Sequence, residues 1–170
     1  GPKEGKSTTS ANLSITFAQA NIKTLLIDAD LRKPTIHSIF NVPQDTGLSN
    51  VLCGLEISKA LYGCSLENLY LMPSGPLPPN PSELLSSNRM KEVIGQLKKD
   101  FEMIIIDTPP VIAVTDAAVL SAGVDGSCLV INSGTTDRKA VIHAILSLKK
   151  VNSNILGVIL NNVNIKKDIS

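Results

Sequence analysis

Short apolar runs alternate along this chain with longer segments in which apolar residues recur at helical spacing. The alternation predicts an α/β fold with a mostly parallel sheet and helices on both faces, because helices usually supply the crossovers between parallel strands. A content of 43% hydrophobic but only 3% aromatic residues agrees with an aliphatic, buried parallel sheet. Strands are predicted at residues 23–27, 69–72, 103–106, 127–132 and 155–160, and helices at residues 10–19, 36–40, 88–99, 117–122 and 138–150, with shorter helices within 48–61 and from 83 onward.

The composition favours a single domain over residues 1–170 that does not bind nucleic acid. This length is enough for one substantial core, and a formal net charge of +1 with dispersed cations offers no basic patch for DNA or RNA. No apolar run approaches the roughly 20 residues that a membrane-spanning helix needs, and nothing at the start resembles a signal peptide. The three cysteines form no C-x-x-C pair and are interpreted as core residues in a reducing compartment. We therefore expect a cytoplasmic domain.

A short motif, Gly5-Lys6-Ser7-Thr8, stands directly before the first helical segment. It matches the second half of the G-x-x-x-x-G-K-[ST] phosphate loop, in which backbone N–H groups and the lysine hold phosphates and the hydroxyl holds Mg²⁺. Alone, so short a string fits an ordinary loop before a helix equally well. The first glycine of the pattern, and the strand that normally feeds such a loop, would precede Gly1. We therefore interpret the chain as a fragment of a P-loop NTPase-like fold without its first strand.

Two apolar runs end in aspartates. Asp28 and Asp30 close the run that begins at Leu25, and Asp107 closes a second run before Thr108. Each aspartate alone fits a cap or a turn, but strand residues alternate faces, so Asp28 and Asp30 would point the same way in an extended chain. Ligands of open α/β sheets bind at the carboxyl ends of strands, where carboxylates suit Mg²⁺ binding and proton abstraction. Together with the glycine motif, these aspartates predict a phosphoryl-transfer site.

Four segments, residues 28–34, 75–85, 104–110 and 156–161, resemble the signature segments of bacterial tyrosine kinases of capsule and exopolysaccharide synthesis. The proline-rich part, residues 75–81, discriminates best, because related ATPases that position cell-division and chromosome machinery lack it. The resemblance implies transfer of the γ-phosphate of ATP to protein tyrosines in a carboxy-terminal cluster. It also implies a membrane polysaccharide co-polymerase as activator, fused or separate, self-association of the intact protein into a ring, and a location at the inner face of the cell membrane.

The same resemblance assigns roles to the residues of the glycine motif. Gly5 would form part of the loop around the phosphates, and Lys6 would hold the β- and γ-phosphates. Ser7 would coordinate Mg²⁺, and Thr8 would contact the α-phosphate. These roles are physically consistent, because phosphoryl transfer requires positioning and charge neutralisation more than covalent chemistry.

For the acidic residues, the resemblance makes Asp28 the acceptor of the tyrosine proton and assigns the magnesium ion to Asp30 and Asp107, directly or through water. Asn161, after the last strand, is a candidate contact for the adenine ring, with a turn or cap role equally open. Arg32 would contact phosphate or a neighbouring subunit, or else is a solvated arginine. The expected cofactors are therefore ATP and Mg²⁺.

The tyrosine content departs from the family pattern. Tyr62 and Tyr70 are the only tyrosines, and both lie in segments that are predicted to be ordered. We therefore expect the acceptor tyrosines in a flexible tail beyond Ser170. The amino-terminal helix whose arginine motif serves ring assembly in this family is also not found in the sequence.

Two other classes of protein stay open. One is a positioning ATPase switch, which an amphipathic tail would favour, although the sequence around Lys166 shows none. The other is a non-catalytic module that uses a degraded nucleotide site to hold a membrane partner. Retention of Lys6, Ser7 and the three aspartates argues against degradation, because a module that needs only shape has no use for a full set of phosphate and metal ligands.

Overall fold

The computed structural model describes residues 4–112 and 115–164, which form two compact units, Gly1–Lys6 with Pro110–Ser170, and Ser7–Pro109. Its helices are α1 (Lys6–Gln19), α2 (Ile36–Phe40), α3 (Leu48–Leu52), α4 (Pro81–Ser86), α5 (Asn88–Leu97), α6 (Asp116–Ser121) and α7 (Arg138–Lys150), with a 3₁₀ helix at Ile57–Ala60. Its strands are β1 (Thr24–Asp28), β2 (Tyr62–Gly63), β3 (Leu69–Met72), β4 (Met103–Asp107), β5 (Ser127–Asn132) and β6 (Ile155–Asn161).

The unit Ser7–Pro109 is built on a four-stranded sheet of order β2-β3-β1-β4. β1 pairs in parallel with β3 on one side and with β4 on the other, whereas β2 runs antiparallel to β3. Because β1 is central, every one of its residues is buried. Leu26 of this strand packs with Ala11 of α1, Ile36 of α2 and Leu71 of β3, so the core is aliphatic, as the low aromatic content predicts.

Helix α1 begins at Lys6, four residues earlier than the sequence pattern predicted. Gly5 has φ +83°, a left-handed conformation that glycine adopts without steric cost, and the helix follows it directly. The buried positions of α1 are the small residues Ala11, Ser14 and Ala18, which recur at helical spacing. Their size allows the helix axis to lie close to the sheet.

The second unit, Gly1–Lys6 with Pro110–Ser170, contains the parallel pair of β5 and β6. The register aligns the last residues of the two strands, Asn132 and Asn161. Helix α7 begins after Asp137, whose side chain accepts a hydrogen bond from the Lys139 backbone N–H at 3.0 Å, as an N-cap residue does.

The predicted mostly parallel sheet flanked by helices is confirmed, and each predicted strand is present with ends within one residue. The sequence pattern missed β2, because two residues are too short for a period-two signal and the strand is defined by its pairing with β3. A single domain over residues 1–170 stays a prediction. Within residues 4–112 and 115–164, every helix is too short or too polar to cross a bilayer.

Candidate functional site

Two buried carboxylates lie side by side in the unit Ser7–Pro109. Asp28 ends β1 and Asp107 ends β4, and the parallel register pairs these two residues directly. Neighbouring strands are about 4.8 Å apart, and paired residues of parallel strands point to the same face. Asp28 is 0% exposed and Asp107 is 2% exposed. The fold therefore places two acidic groups next to each other at the carboxyl end of the sheet.

The carboxylate of Asp28 holds the turn that follows its strand. Its Oδ2 atom accepts hydrogen bonds from the backbone N–H groups of Thr35 and Ile36, both at 3.0 Å, and its Oδ1 atom accepts one from Asp30 at 3.2 Å. Ile36 is the first residue of α2, so the carboxylate satisfies donors at the start of that helix. Asp28 thus connects the end of β1 to the start of α2.

The environment of Asp28 raises its pKa from the ordinary value of 3.8 to about 7. Burial is the largest cause, because it disfavours the charged form, and the neighbouring charge of Asp107 raises the pKa further. The backbone hydrogen bonds from Ile36, Thr35 and Asp30 act in the opposite direction, because they stabilise the carboxylate. A carboxyl group with a pKa near neutrality is suited to accept a proton at physiological pH.

Asp30 lies outside the strand, which differs from the extended geometry in the sequence prediction. β1 ends at Asp28, and the Oδ1 atom of Asp30 accepts hydrogen bonds from the backbone N–H groups of Arg32 at 3.2 Å and Lys33 at 2.9 Å. Aspartate favours such local turns because its short side chain reaches its own backbone. The half-buried Asp30 therefore remains close to Asp28 through a turn and not through strand alternation.

Ser10 is a residue of this site that the sequence pattern did not indicate. Its hydroxyl donates a hydrogen bond to Oδ1 of Asp107 at 3.1 Å, from the second turn of α1. Ser7 and Thr8 lie in the first turn of the same helix. Residues three apart share one face of a helix, so Ser10 lies on the same face of α1 as Ser7. If the sequence pattern had predicted a helix from Lys6, this spacing would have indicated Ser10 as a residue of the site.

Hydrogen bonds hold the segment 73–82, which follows β3 and contains the proline-rich residues 75–81, near both of its ends. The Ser49 hydroxyl donates to the carbonyl of Pro76 at 2.8 Å, and the backbone N–H of Leu48 donates to the carbonyl of Pro73 at 2.8 Å. At the start of α4, the Arg32 guanidinium donates to the Ser82 hydroxyl at 3.0 Å. Arg32 thus links the turn that Asp30 stabilises to the proline-rich segment.

The second unit holds the amino-terminal part of the glycine motif. The side-chain amide of Asn161 donates from Nδ2 to the carbonyl oxygen of Glu4 at 3.0 Å. A Cβ atom on Gly5 would overlap that amide, so only glycine fits at this position. Lys6 lies 4.0 Å from the carboxylate of Glu4, measured from Nζ to Oε2. The motif therefore presents a backbone conformation that is typical of phosphate loops, with a lysine directly after it.

The oxygen donors of the unit Ser7–Pro109 fit a magnesium ion. Mg²⁺ prefers hard oxygen ligands and usually takes one or two carboxylates, completing its shell with water and substrate phosphates. Asp30 and Asp107 supply such carboxylates, and the Ser7 hydroxyl is a further oxygen donor in the same unit. In the described part of the chain, no group of three or more His, Cys, Asp or Glu residues forms a metal site by itself. The donor set suits a metal that binds together with a nucleotide.

The pKa of Asp28 predicts that the protein without metal and nucleotide loses stability as the pH rises from about 4 to about 7. The folded-state pKa is about 7 against an ordinary value of 3.8, so the folded protein holds a proton that the unfolded chain has released. This stabilisation is present at low pH and is lost as the pH rises through the folded-state pKa. The slope is at most about 1.4 kcal/mol per pH unit. Urea unfolding at several pH values measures it.

Two variants separate this effect from other titrating groups. Asp28→Asn should flatten the pH dependence, because the amide does not titrate. Asp45→Asn removes an exposed carboxylate of the same unit and should keep the wild-type slope. An unchanged slope in Asp28→Asn would mean that Asp28 is ionised throughout this pH range.

The class of protein follows from the fold and the site together. A family model described as an AAA domain matches residues 4–155, so the chain belongs to the AAA domain family. The fold is also similar to the crystal structure of the cell division ATPase MinD from Pyrococcus furiosus, with a TM-score of 0.78 and 27% identity over 95% of this chain and 68% of that chain. The chain therefore has the fold of a P-loop NTPase, a class of nucleotide-binding proteins.

More similar proteins define the family within that class. The chain is 46% identical over 167 residues to tyrosine-protein kinase YwqD of Bacillus subtilis, which covers 98% of this chain and 70% of that protein. The solved kinase domain of Escherichia coli tyrosine kinase ETK matches with a TM-score of 0.93 and 38% identity, over 96% of this chain and 64% of that chain. The chain belongs to the bacterial tyrosine kinases. The family predicted from the sequence is confirmed, and the positioning ATPase and the non-catalytic module are not favoured.

Proposed function

We propose that the intact protein transfers the γ-phosphate of ATP to protein tyrosines and regulates capsule or exopolysaccharide synthesis. One observation carries the proposal: in a chain of the bacterial tyrosine kinase family, the carboxylates of Asp28 and Asp107 lie paired and buried at the carboxyl ends of adjacent parallel strands. Burying two neighbouring carboxylates costs folding free energy, so a purely structural role does not explain the pair. Binding a cation and accepting a proton are functions for which such a pair is suited.

The residues of the glycine motif hold the phosphates of ATP in this proposal. Backbone N–H groups around Gly5 surround the phosphate oxygens, and the ammonium of Lys6 neutralises charge at the β- and γ-phosphates. Thr8, which is exposed in the first turn of α1, contacts the α-phosphate. Asn161 is a candidate contact for the adenine ring, with a turn or cap role equally open.

The acidic residues hold the metal and accept the proton. Ser7, Asp30 and Asp107 would hold Mg²⁺, which when bound neutralises charge on the phosphates. Asp28 accepts the proton of the attacking tyrosine hydroxyl, because its pKa of about 7 makes the carboxylate available near neutral pH and basic enough for the transfer. Ser10 orients Asp107 through its hydrogen bond to Oδ1.

The partners in this proposal are proteins. The family resemblance supports an activator that is a membrane polysaccharide co-polymerase, fused or separate, which brings the kinase to the inner face of the cell membrane. It also supports a ring of kinase subunits in the intact protein, so that one subunit phosphorylates its neighbour. A formal net charge of +1 provides no electrostatic basis for nucleic acid as a partner.

The acceptor tyrosines provide the test. Tyr70 lies in β3, and its ring packs edge-on against the ring of Phe101, with 5.3 Å between the two centroids. The Lys23 ammonium lies 5.5 Å from the centroid of the Tyr70 ring. Tyr62 lies in β2, which pairs with β3. A side chain that is fixed within this sheet cannot move to the site at the strand ends, whereas a flexible tail can. We therefore expect phosphate on a tyrosine cluster in the carboxy-terminal tail of the intact protein.

Mass spectrometry of the intact protein after incubation with ATP and Mg²⁺ locates the phosphate. The expected result is modification of the tail cluster, with Tyr62 and Tyr70 unmodified. A Tyr62→Phe, Tyr70→Phe double variant serves as the matched control and should incorporate as much phosphate as the wild type. Stoichiometric phosphate on either strand tyrosine would contradict the choice of acceptor, and phosphate on no tyrosine would point to an ATPase switch.

A further inference from the structure

Several hydrogen bonds converge on Glu4, the residue before the glycine of the phosphate loop. The Nδ2 atom of Asn161 donates to the Glu4 carbonyl oxygen at 3.0 Å, and the Thr136 hydroxyl donates to Glu4 Oε1 at 3.0 Å. Thr136 is itself held, because its hydroxyl accepts a hydrogen bond from the Asn132 backbone N–H at 2.9 Å. Glu4 is only 6% exposed. Both its main chain and its side chain are therefore fixed.

The two residues that hold Glu4 lie at or near the ends of the paired strands of the same unit. Asn132 and Asn161 are the last residues of β5 and β6, and the register of the two strands pairs them directly. The loop that begins after β5 carries Thr136, whose backbone N–H donates to the Asn132 carbonyl at 3.0 Å. The end of β6 and the loop after β5 thus supply the two groups that hold Glu4.

The amide of Asn161 is engaged at both of its ends. While Nδ2 donates to Glu4, Oδ1 accepts a hydrogen bond from the Asn162 backbone N–H at 3.0 Å. The amide also fills the space in which a side chain at Gly5 would lie. The amide of Asn161 therefore contacts the backbone of the phosphate loop, whereas the sequence left a contact with adenine and a turn or cap role equally open.

We propose that Asn161 and Thr136 are positioning residues that hold Glu4 and Gly5 in the phosphate-binding conformation, and so set affinity for the polyphosphate part of the nucleotide and not for its base. The proposal rests on the proposed function, in which this loop binds the phosphates of ATP. Gly5 is left-handed at φ +83°, and glycine loses more conformational entropy than other residues when it is ordered. A loop that is fixed before binding avoids that cost at the moment of binding.

Phosphate and base recognition are separated by comparing two ligands. In the intact kinase with Mg²⁺, Asn161→Ala should weaken binding of ATP and of inorganic tripolyphosphate by a similar factor, on the order of 10-fold. Competition with a fluorescent nucleotide measures both dissociation constants. Weaker ATP binding with unchanged tripolyphosphate binding would overturn the proposal in favour of a contact with adenine, and unchanged binding of both would also overturn it.

Asn154→Ala is the matched control for this variant. Asn154 precedes β6 at the other end of the strand and donates from Nδ2 to the Asp125 carbonyl oxygen at 2.7 Å, so it makes the same kind of hydrogen bond away from Glu4. Affinity for both ligands should remain at the wild-type level. If Asn154→Ala weakened both as much as Asn161→Ala does, a general loss of strand stability would explain the result and the proposal would fall.

Thr136 supplies an independent variant if Asn161→Ala does not fold. Thr136→Val keeps the shape and removes the hydroxyl, so it should weaken both ligands, whereas Thr136→Ser keeps the hydroxyl and should restore affinity to within about 2-fold of the wild type. Equal affinity in the valine and serine variants would overturn the role of Thr136. The rate of phosphoryl transfer by Lys6→Met tests the proposed function separately. If Lys6→Met loses transfer but the Asn161 and Thr136 variants bind both ligands normally, only the positioning role is rejected and the proposed function stands.

Discussion

The Lys6→Met variant of the intact kinase is expected to lose at least about 10²-fold in phosphoryl transfer. The ammonium of Lys6 is the positive charge that directly follows the phosphate loop, and methionine keeps the length and apolar stem of the side chain without that charge. Developing charge between the β- and γ-phosphates is then not neutralised in the transition state. Nucleotide binding survives in part, because the backbone N–H groups of the loop remain.

Transfer from labelled ATP to an acceptor tyrosine is the measurement, with the variant and wild type at saturating nucleotide. Lys91→Met is the matched control, because Lys91 is exposed on α5 and the same substitution there removes a charge without touching the phosphate loop. It should transfer at the wild-type rate. Near-normal transfer by Lys6→Met would remove the phosphate-loop assignment.

Replacing each of the two paired aspartates with asparagine is expected to affect different properties, nucleotide affinity for Asp107 and turnover for Asp28. Asp107→Asn should weaken magnesium-dependent nucleotide binding by about 10-fold or more, because Asp107 is proposed as a metal ligand. Asp28→Asn should lower turnover by about 10²-fold or more and change affinity much less, because a general base acts only in the transition state. Asparagine at position 107 keeps an oxygen for the hydrogen bond from Ser10. Asparagine at position 28 keeps one oxygen, which accepts from Thr35 and Ile36 as Oδ2 does, but it loses the bond from the Asp30 backbone N–H because an amide NH2 group cannot accept it.

Titration of a non-hydrolysable ATP analogue with and without Mg²⁺, together with turnover, resolves the two roles. Asp107→Asn has a further signature: the charge of Asp107 contributes to the raised pKa of Asp28, so its removal should lower the pKa of Asp28 and move the pH–rate profile to lower pH. Asp100→Asn, which removes an exposed carboxylate before β4, should leave binding and turnover unchanged. Identical binding losses in the Asp28 and Asp107 variants would reject the division of roles.

The elements themselves were predictable because their signals are local. The apolar runs that end at Asp28 and Asp107, and the helical spacing of Ala11 and Ala18, are properties of a few consecutive residues. β2 escaped prediction because nothing in two residues identifies a strand until β3 pairs with it. The start of α1 was placed too late, because small polar residues after a glycine fit a loop and a first helical turn equally well.

The residue types available to the site can be read from the sequence: a lysine after a glycine turn and aspartates at the ends of two buried strands. That β1 and β4 are neighbours, which pairs Asp28 with Asp107 and raises the pKa of Asp28 to about 7, is visible only in the folded chain. The same is true of the hydrogen bond from Ser10 to Asp107 across 97 positions of the chain, and of the one from Asn161 to Glu4 across 157. The physical reason is that strand order and side-chain hydrogen bonds between distant residues depend on how whole elements pack, and burial and neighbouring charge are properties of that packing.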